Sequence, residues 1–133
     1  TTVLVAGRTR FHPSGYLRGQ TIPGIKVVEK INPRTIRKSA NGYILDMGQN
    51  MVGWLAVELE GEGNAGDSVR LRFAETLQPD GELYTANLRS AKVTDLYILK
   101  GEGIEEWAPR FVYHGFRYVE VSEFPGTPTL TNF

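Results

Sequence analysis

Two short stretches hold most of the side chains that could do chemistry. The first sets Asp46, Gly48, Gln49, Asn50 and Gly53 within eight positions, and the second carries Tyr84, Asn87 and Arg89 in a run with no clear periodicity. The chemistry that suits these types is sugar recognition. An aromatic ring offers a flat apolar face to the C–H surface of a pyranose, while amide and guanidinium groups meet its hydroxyls. Tyr84, Asn87, Arg89, Gln49 and Asn50 are therefore the candidate sugar-contact or domain-docking residues. Trp54, Trp107 and Tyr113 are further rings, but both tryptophans head strands whose neighbours look like core, so packing is the favoured reading for them.

Bond-breaking chemistry finds less support. The two histidines, His12 and His114, come with no G-x-S-x-G elbow and no cysteine, so no nucleophilic triad is expected. His114, just before Gly115, reads as a hydrogen-bonding residue at a strand interruption. There is no H-x-x-x-H, EF-hand loop or dense carboxylate cluster, so no metal site is expected, although calcium held by loop carbonyls would leave no trace in sequence. Gly61, Gly63 and Gly66 join two strands rather than opening a helix, which makes a turn of them and not a phosphate cradle. A glycosidase needs two carboxylates about 5 to 9.5 Å apart across a sugar. Asp46, Glu75, Asp80, Glu82 and Asp95 lie on separate turns and strand ends, and no catalytic residue is assigned.

The elements that must position these side chains are strands. Ile25 to Ile31 reads as one, ended by Asn32-Pro33. Thr35 to Lys38 precedes an Asn41-Gly42 turn and a hairpin into Tyr43-Ile44-Leu45. Leu55, Val57 and Leu59 alternate with Ala56, Glu58 and Glu60, and Val69, Leu71 and Phe73 alternate with Ser68, Arg70 and Arg72, the pattern of half-buried strands. The glycine-rich 61–67 segment is expected to fold these two runs into a hairpin, with Glu58 and Glu60 across from Arg70 and Arg72. A turn at Gln78–Glu82 leads to a long loop, Leu83 to Lys92. Strands follow at Asp95–Lys100, Glu106–Tyr113 and Phe116–Val121, the last two separated at His114-Gly115. Seven or eight short strands with glycine and proline turns and no amphipathic helix argue an all-β fold: an antiparallel β-sandwich, jelly-roll-like, of two packed sheets.

The chain has 133 residues, 41% hydrophobic and 23% charged, ordinary usage for one globular domain. Fifteen basic and fifteen acidic residues cancel, so no large field favours nucleic acid or an anionic membrane as a partner. No apolar run approaches the length of a membrane helix, and Thr1-Thr2-Val3 starts no signal peptide, so the chain reads as a processed or excised piece. The lack of cysteine removes disulfides without fixing the compartment, cytoplasmic or secreted.

Three separated motifs, "YILDMGQNMVGW", "FAETLQPDGELYTANLRSAKVTDLYILKGEG" and "WAPRFVYHGFRYVEVSEFPG", together resemble the concanavalin-like β-sandwich segment of bacterial α-L-rhamnosidases. The upstream "LRGQTIPGIKVVEKINP" is similar to the junction that leads into it. The resemblance implies an organisation of N-terminal junction (1–20), β-sandwich (21–126) and the start of a C-terminal linker (127–133). It also implies a bacterial glycoside hydrolase releasing terminal α-L-rhamnose by inversion, with acid and base carboxylates in an (α/α)6 barrel whose helical pattern is absent here. On that basis the chain is a noncatalytic module, with no cofactor, packing against or rimming the catalytic domain of its parent enzyme, and the 46–53 stretch is a sharp corner between strands. The alternative is an autonomous carbohydrate-binding module for rhamnose-containing glycans. A weaker third reading makes the chain itself a hydrolase using a pair drawn from Glu75, Asp80, Glu82 and Asp95.

Overall fold

The computed structural model describes residues 18–61 and 63–133. His12 and residues 1–17 of the expected junction lie outside the described residues. The described chain is built of strands β1 (Thr35–Ser39), β2 (Gly42–Gly53), β3 (Val57–Glu60), β4 (Ser68–Ala74), β5 (Thr76–Leu77), β6 (Leu83–Tyr84), β7 (Thr94–Ile98), β8 (Ile104–Trp107) and β9 (His114–Ser122). Short 3₁₀ turns occupy Ala86–Leu88 and Leu130–Asn132. Every pairing is antiparallel: a five-stranded sheet in the order β1-β2-β9-β4-β7, and two-stranded ribbons β3-β8 and β5-β6.

Alternation along each strand makes the layers. In β4, Val69, Leu71 and Phe73 are fully buried, while Arg70 and Arg72 between them keep much of their surface in water. Those inward residues join Leu45 and Met47 of β2, Phe116, Val119 and Val121 of β9, and Val57 and Leu59 of β3 in one core. The β3-β8 ribbon thus lies across the inner face of the five-stranded sheet, giving the sandwich expected from sequence. Each such side chain contributes roughly 1.5–3 kcal/mol by leaving water. On the opposite face, Ile44, Ala74 and Leu83 form a smaller cluster with Leu77 and Tyr118, and this fastens the β5-β6 ribbon to the outside.

One expectation from sequence is overturned in an instructive way. β3 and β4 do not form a hairpin: β3 pairs with β8, and β4 with β7 and β9. The connection from β3 to β4 instead passes from one layer to the other, beside the β7-to-β8 connection that crosses in the opposite direction. The two crossings are tied by Gly61 N–H to Gly103 O (3.1 Å), Gly66 N–H to Leu99 O (3.0 Å) and Leu99 N–H to Asp67 O (2.8 Å). They come so close that a Cβ on Gly101, at φ +80°, would sit 2.1 Å from Ala65 N. Glu105 anchors the crossing from below, where its buried carboxylate accepts from Lys100 N–H (3.0 Å), Gly101 N–H (2.8 Å) and the Tyr97 hydroxyl. Its pKa lies below the ordinary glutamate value, chiefly because of the Tyr97 hydrogen bond. Glu58 and Glu60 consequently face Glu106 and Ile104, not the arginines. The arginines find Glu120 on β9 of their own sheet and Glu123 just past its end.

Other boundaries differ as well. The Ile25–Ile31 run forms no strand, and Ile25, Val27 and Val28 are 77%, 58% and 96% exposed. Its alternation is that of a strand, but among the described residues no strand takes up its N–H and C=O groups. β8 stops at Trp107, and 108–113 is irregular. His114 and Gly115 interrupt nothing; they open β9, which runs unbroken to Ser122. At the other end, residues 127–133 lie against the sandwich: Asn132 Nδ2 donates to Glu58 O (2.9 Å), and Phe133 packs on the core.

Candidate functional site

The polar opening of the Asp46–Gly53 stretch is an irregular β-bulge. Asp46 pairs with Tyr118 and Met51 with Phe116, so Met47, Gly48, Gln49 and Asn50 stand opposite Arg117 alone. Asp46 holds the bulge in shape. Its Oδ1 accepts the Gly48 N–H at 2.7 Å, and its two oxygens accept Nε and Nη2 of Arg117 at 2.9 Å each, a bidentate fork. Arg117 is the main reason the Asp46 pKa lies below the ordinary aspartate value. Gly48 is at φ +82°, and a Cβ there would run into the Arg34 side chain. The stretch is thus not a corner between two strands but a bulge held by Asp46 within the single strand β2, and Asn50 takes no part in satisfying its backbone. Its amide reaches Glu75 Oε1 at 3.1 Å, and Gln49 beside it is exposed.

Tyr84, Asn87 and Arg89 are all exposed, on β6, the first 3₁₀ turn and the residue that ends it. Thr76, next in sequence to Glu75, is the register partner of Tyr84, so the two candidate groups sit on adjoining elements. Among the described residues no hydrogen bond joins them. Arg89, at φ 54° and ψ −113°, is in backbone territory costly for a side-chain-bearing residue, on the order of 1–3 kcal/mol. It lines a cleft of about 480 Å³ on the outer face of the five-stranded sheet with Arg70, Arg72, Lys92, Thr85 and Thr94, while Tyr84 and Asn87 stay outside it. Sequence reasoning missed this cleft because it spent Arg70 and Arg72 on Glu58 and Glu60; the alternation that aims both arginines outward was the available signal.

One oxygen of each carboxylate proposed for hydrolysis is engaged by a neighbour, while Glu82 Oε2 and Asp95 Oδ2 are buried without a hydrogen-bond partner. Glu75 accepts from Asn50, Asp80 Oδ1 from the Glu82 N–H (3.0 Å), and Glu82 Oε1 from the Ala40 N–H (3.3 Å). Asp95 Oδ1 lies 2.9 Å from His114 Nε2, a buried pair whose imidazole stacks on Phe73 with ring centroids 4.4 Å apart. Hydrogen bonding is thus the role His114 fills. Among the described residues no group of three or more His, Asp or Glu could hold a metal ion.

The rings divide between the core and an apolar groove. Trp107 stacks on Tyr97 at 5.1 Å and packs against the core. Trp54, half-buried, lines a groove of about 570 Å³ with Met51, Val52, Tyr113 and Phe133 on one side and the 25–32 segment on the other. Around it Val52 and Tyr113 are 74% and 57% exposed, and Phe111, at φ 64°, is fully exposed.

A family model described as the bacterial alpha-L-rhamnosidase concanavalin-like domain matches residues 36–133. The chain belongs to this family. An alpha-L-rhamnosidase of Streptomyces avermitilis is 52% identical over 109 residues, covering 81% of this chain and 10% of that protein. The crystal structure of S. avermitilis alpha-L-rhamnosidase complexed with L-rhamnose superposes with a TM-score of 0.72 at 52% identity, over 77% of this chain and 10% of that one. The alpha-L-rhamnosidase structure from Dictyoglumus thermophilum gives a TM-score of 0.74 at 42% identity, over 80% of this chain and 12% of that one. The concanavalin-like domain described here therefore spans about a tenth of the length of the curated relatives it matches. The sequence resemblance and the fold class agree with these findings.

Proposed function

We propose that the chain is a noncatalytic β-sandwich module of a bacterial α-L-rhamnosidase, and that it packs against the catalytic part of that enzyme. The observation that carries the reading is the contrast between a chain matching a tenth of each relative and a surface rich in uncovered apolar groups. Ile25, Val27, Val28, Val52 and Tyr113 flank one groove, and Phe111 stands two residues before Tyr113. Contiguous exposed apolar surface of this kind marks an interaction site. The carboxylates available for acid and base work are meanwhile tied to neighbours in ways that serve the fold. Gln49 and Asn50, on the bulge next to Glu75, belong in this reading to the rim that faces the catalytic part.

A chimaera tests it. The matching segment of the S. avermitilis enzyme is replaced by this chain, and hydrolysis of a nitrophenyl α-L-rhamnoside is measured. The chimaera is expected to retain activity, and Val28→Asp with Phe111→Asp to lower it while the isolated chain carrying both changes keeps its stability. A folded, monodisperse chimaera without activity, or one indifferent to both substitutions, contradicts the proposal.

A further inference from the structure

An outward-facing cleft lies above β4 and β7. Its walls are Arg70, Arg72, Arg89 and Lys92, four cations in a chain whose net charge is zero. Two carboxylates answer them: Glu123 Oε1 accepts Arg70 Nε at 2.9 Å, and Glu120 Oε1 stands 3.8 Å from Arg72 Nη1, beyond hydrogen-bond reach. Arg72 Nη2 instead donates to Thr85 Oγ1 at 2.9 Å. Among the described residues, Arg89 and Lys92 have no carboxylate within 4.0 Å. The cleft therefore carries an excess of positive charge that the fold does not consume.

Arg89 also holds a strained backbone on the wall of this space. Strain of that kind persists where surrounding structure over-determines it, and it clusters at ligand clamps. Beside the cations, Leu88 and Leu96 give apolar lining, and Thr85 and Thr94 line the cleft as well. The volume of about 480 Å³ falls in the range of small-molecule pockets, roughly 300–1,000 Å³. A ligand matching all three features has one negative group, an apolar ring face and several hydroxyls.

We propose that this cleft binds a carboxylate-bearing sugar, the uronic acid residue of an anionic glycan. Arg89 and Lys92 meet the carboxylate, the threonine hydroxyls meet ring hydroxyls, and the C–H face lies on Leu88 and Leu96. The cleft shares no lining residue with the apolar groove.

The test is an NMR titration of the 133-residue chain with glucuronate, and with rhamnose and acetate as probes of ring and charge alone. Glucuronate is expected to give saturable shifts at the amides of Arg89, Lys92 and Thr94, and rhamnose none. Acetate should require at least about fivefold more ligand for half-saturation. Arg89→Ala with Lys92→Ala should weaken glucuronate about tenfold or more, the scale of one lost charge-assisted hydrogen bond. Raising the salt from about 20 to 200 mM should weaken binding further by screening. No saturable shift with glucuronate overturns the proposal, as does unchanged binding by the double variant. Equal half-saturation by acetate and glucuronate also overturns it, since the cleft would then recognise any carboxylate, such as an acidic protein side chain.

Discussion

The two faces of β4 make opposite use of adjacent residues. Val69, Leu71 and Phe73 point into the sandwich and are fully buried, where their neighbours come from both sheets. Arg70 and Arg72, one position away from each, point outward to half-satisfied partners and the wall of a cleft. The inner face is closed in the sense that each apolar group has its contacts, and of the polar groups it holds Glu105 is engaged, while Asp95 keeps one buried carboxylate oxygen, Oδ2, without a hydrogen-bond partner. On the outer face charge and strain are left over. The difference teaches where to look for function in a fold of this kind: stability resides in the inner residues, and the alternate ones, which the fold can spare, are those open to recognition.

That division can be broken first from the inside. Phe73→Ala removes a ring that meets Phe116 edge-on at 4.8 Å and His114 face-on, and is expected to cost about 3–5 kcal/mol in urea unfolding. A loss below about 1 kcal/mol would mean that the inner face is not the source of stability. Gly101→Ala drives a Cβ into the Ala65 backbone where the two crossings touch, and should destabilise by more than about 1 kcal/mol while leaving far-UV circular dichroism β-like.

Acid sharpens the comparison. Glu105, Asp46 and Glu123 have pKa values below their ordinary ranges in the fold, owing first to Tyr97, Arg117 and Ser68 respectively. A depressed folded pKa stabilises the native state above the unfolded pKa, and that contribution is lost as pH falls through the folded one. Stability should thus fall progressively below about pH 4, and Glu105→Gln should flatten that dependence while lowering stability at neutral pH. An unchanged acid slope in Glu105→Gln would remove the anchor from the account. The smallest effect is expected outside: Lys92→Ala should change unfolding stability by no more than about 0.5 kcal/mol in either direction.

Much of the fold was legible because burial on one side of a sheet writes itself into sequence with period two. Leu55, Val57 and Leu59, and Val69, Leu71 and Phe73, were all placed in the core by alternation alone, and the Thr35–Leu45 hairpin followed from its turn. Pairing was not legible. Alternation says which face is inward but not which strand lies alongside, so two consecutive runs joined by glycines read as a hairpin although their connection crosses between layers. The Ile25–Ile31 run shows the same limit, since its pattern is that of a strand and no described strand pairs with it. Of the site, Arg89 was legible as an exposed polar group in an irregular loop. Its companions Arg70, Arg72 and Lys92 come from β4 and the segment before β7, and only the tertiary fold brings them around it.

The most direct test of the central claim, that this chain is a scaffold and recognition module with no bond-breaking of its own, is turnover of a nitrophenyl α-L-rhamnoside by the purified chain. The account predicts nitrophenol release indistinguishable from the uncatalysed rate across acidic and neutral pH. Release that saturates with substrate and is abolished by Glu75→Gln, Glu82→Gln or Asp95→Asn in a variant that still folds would contradict it.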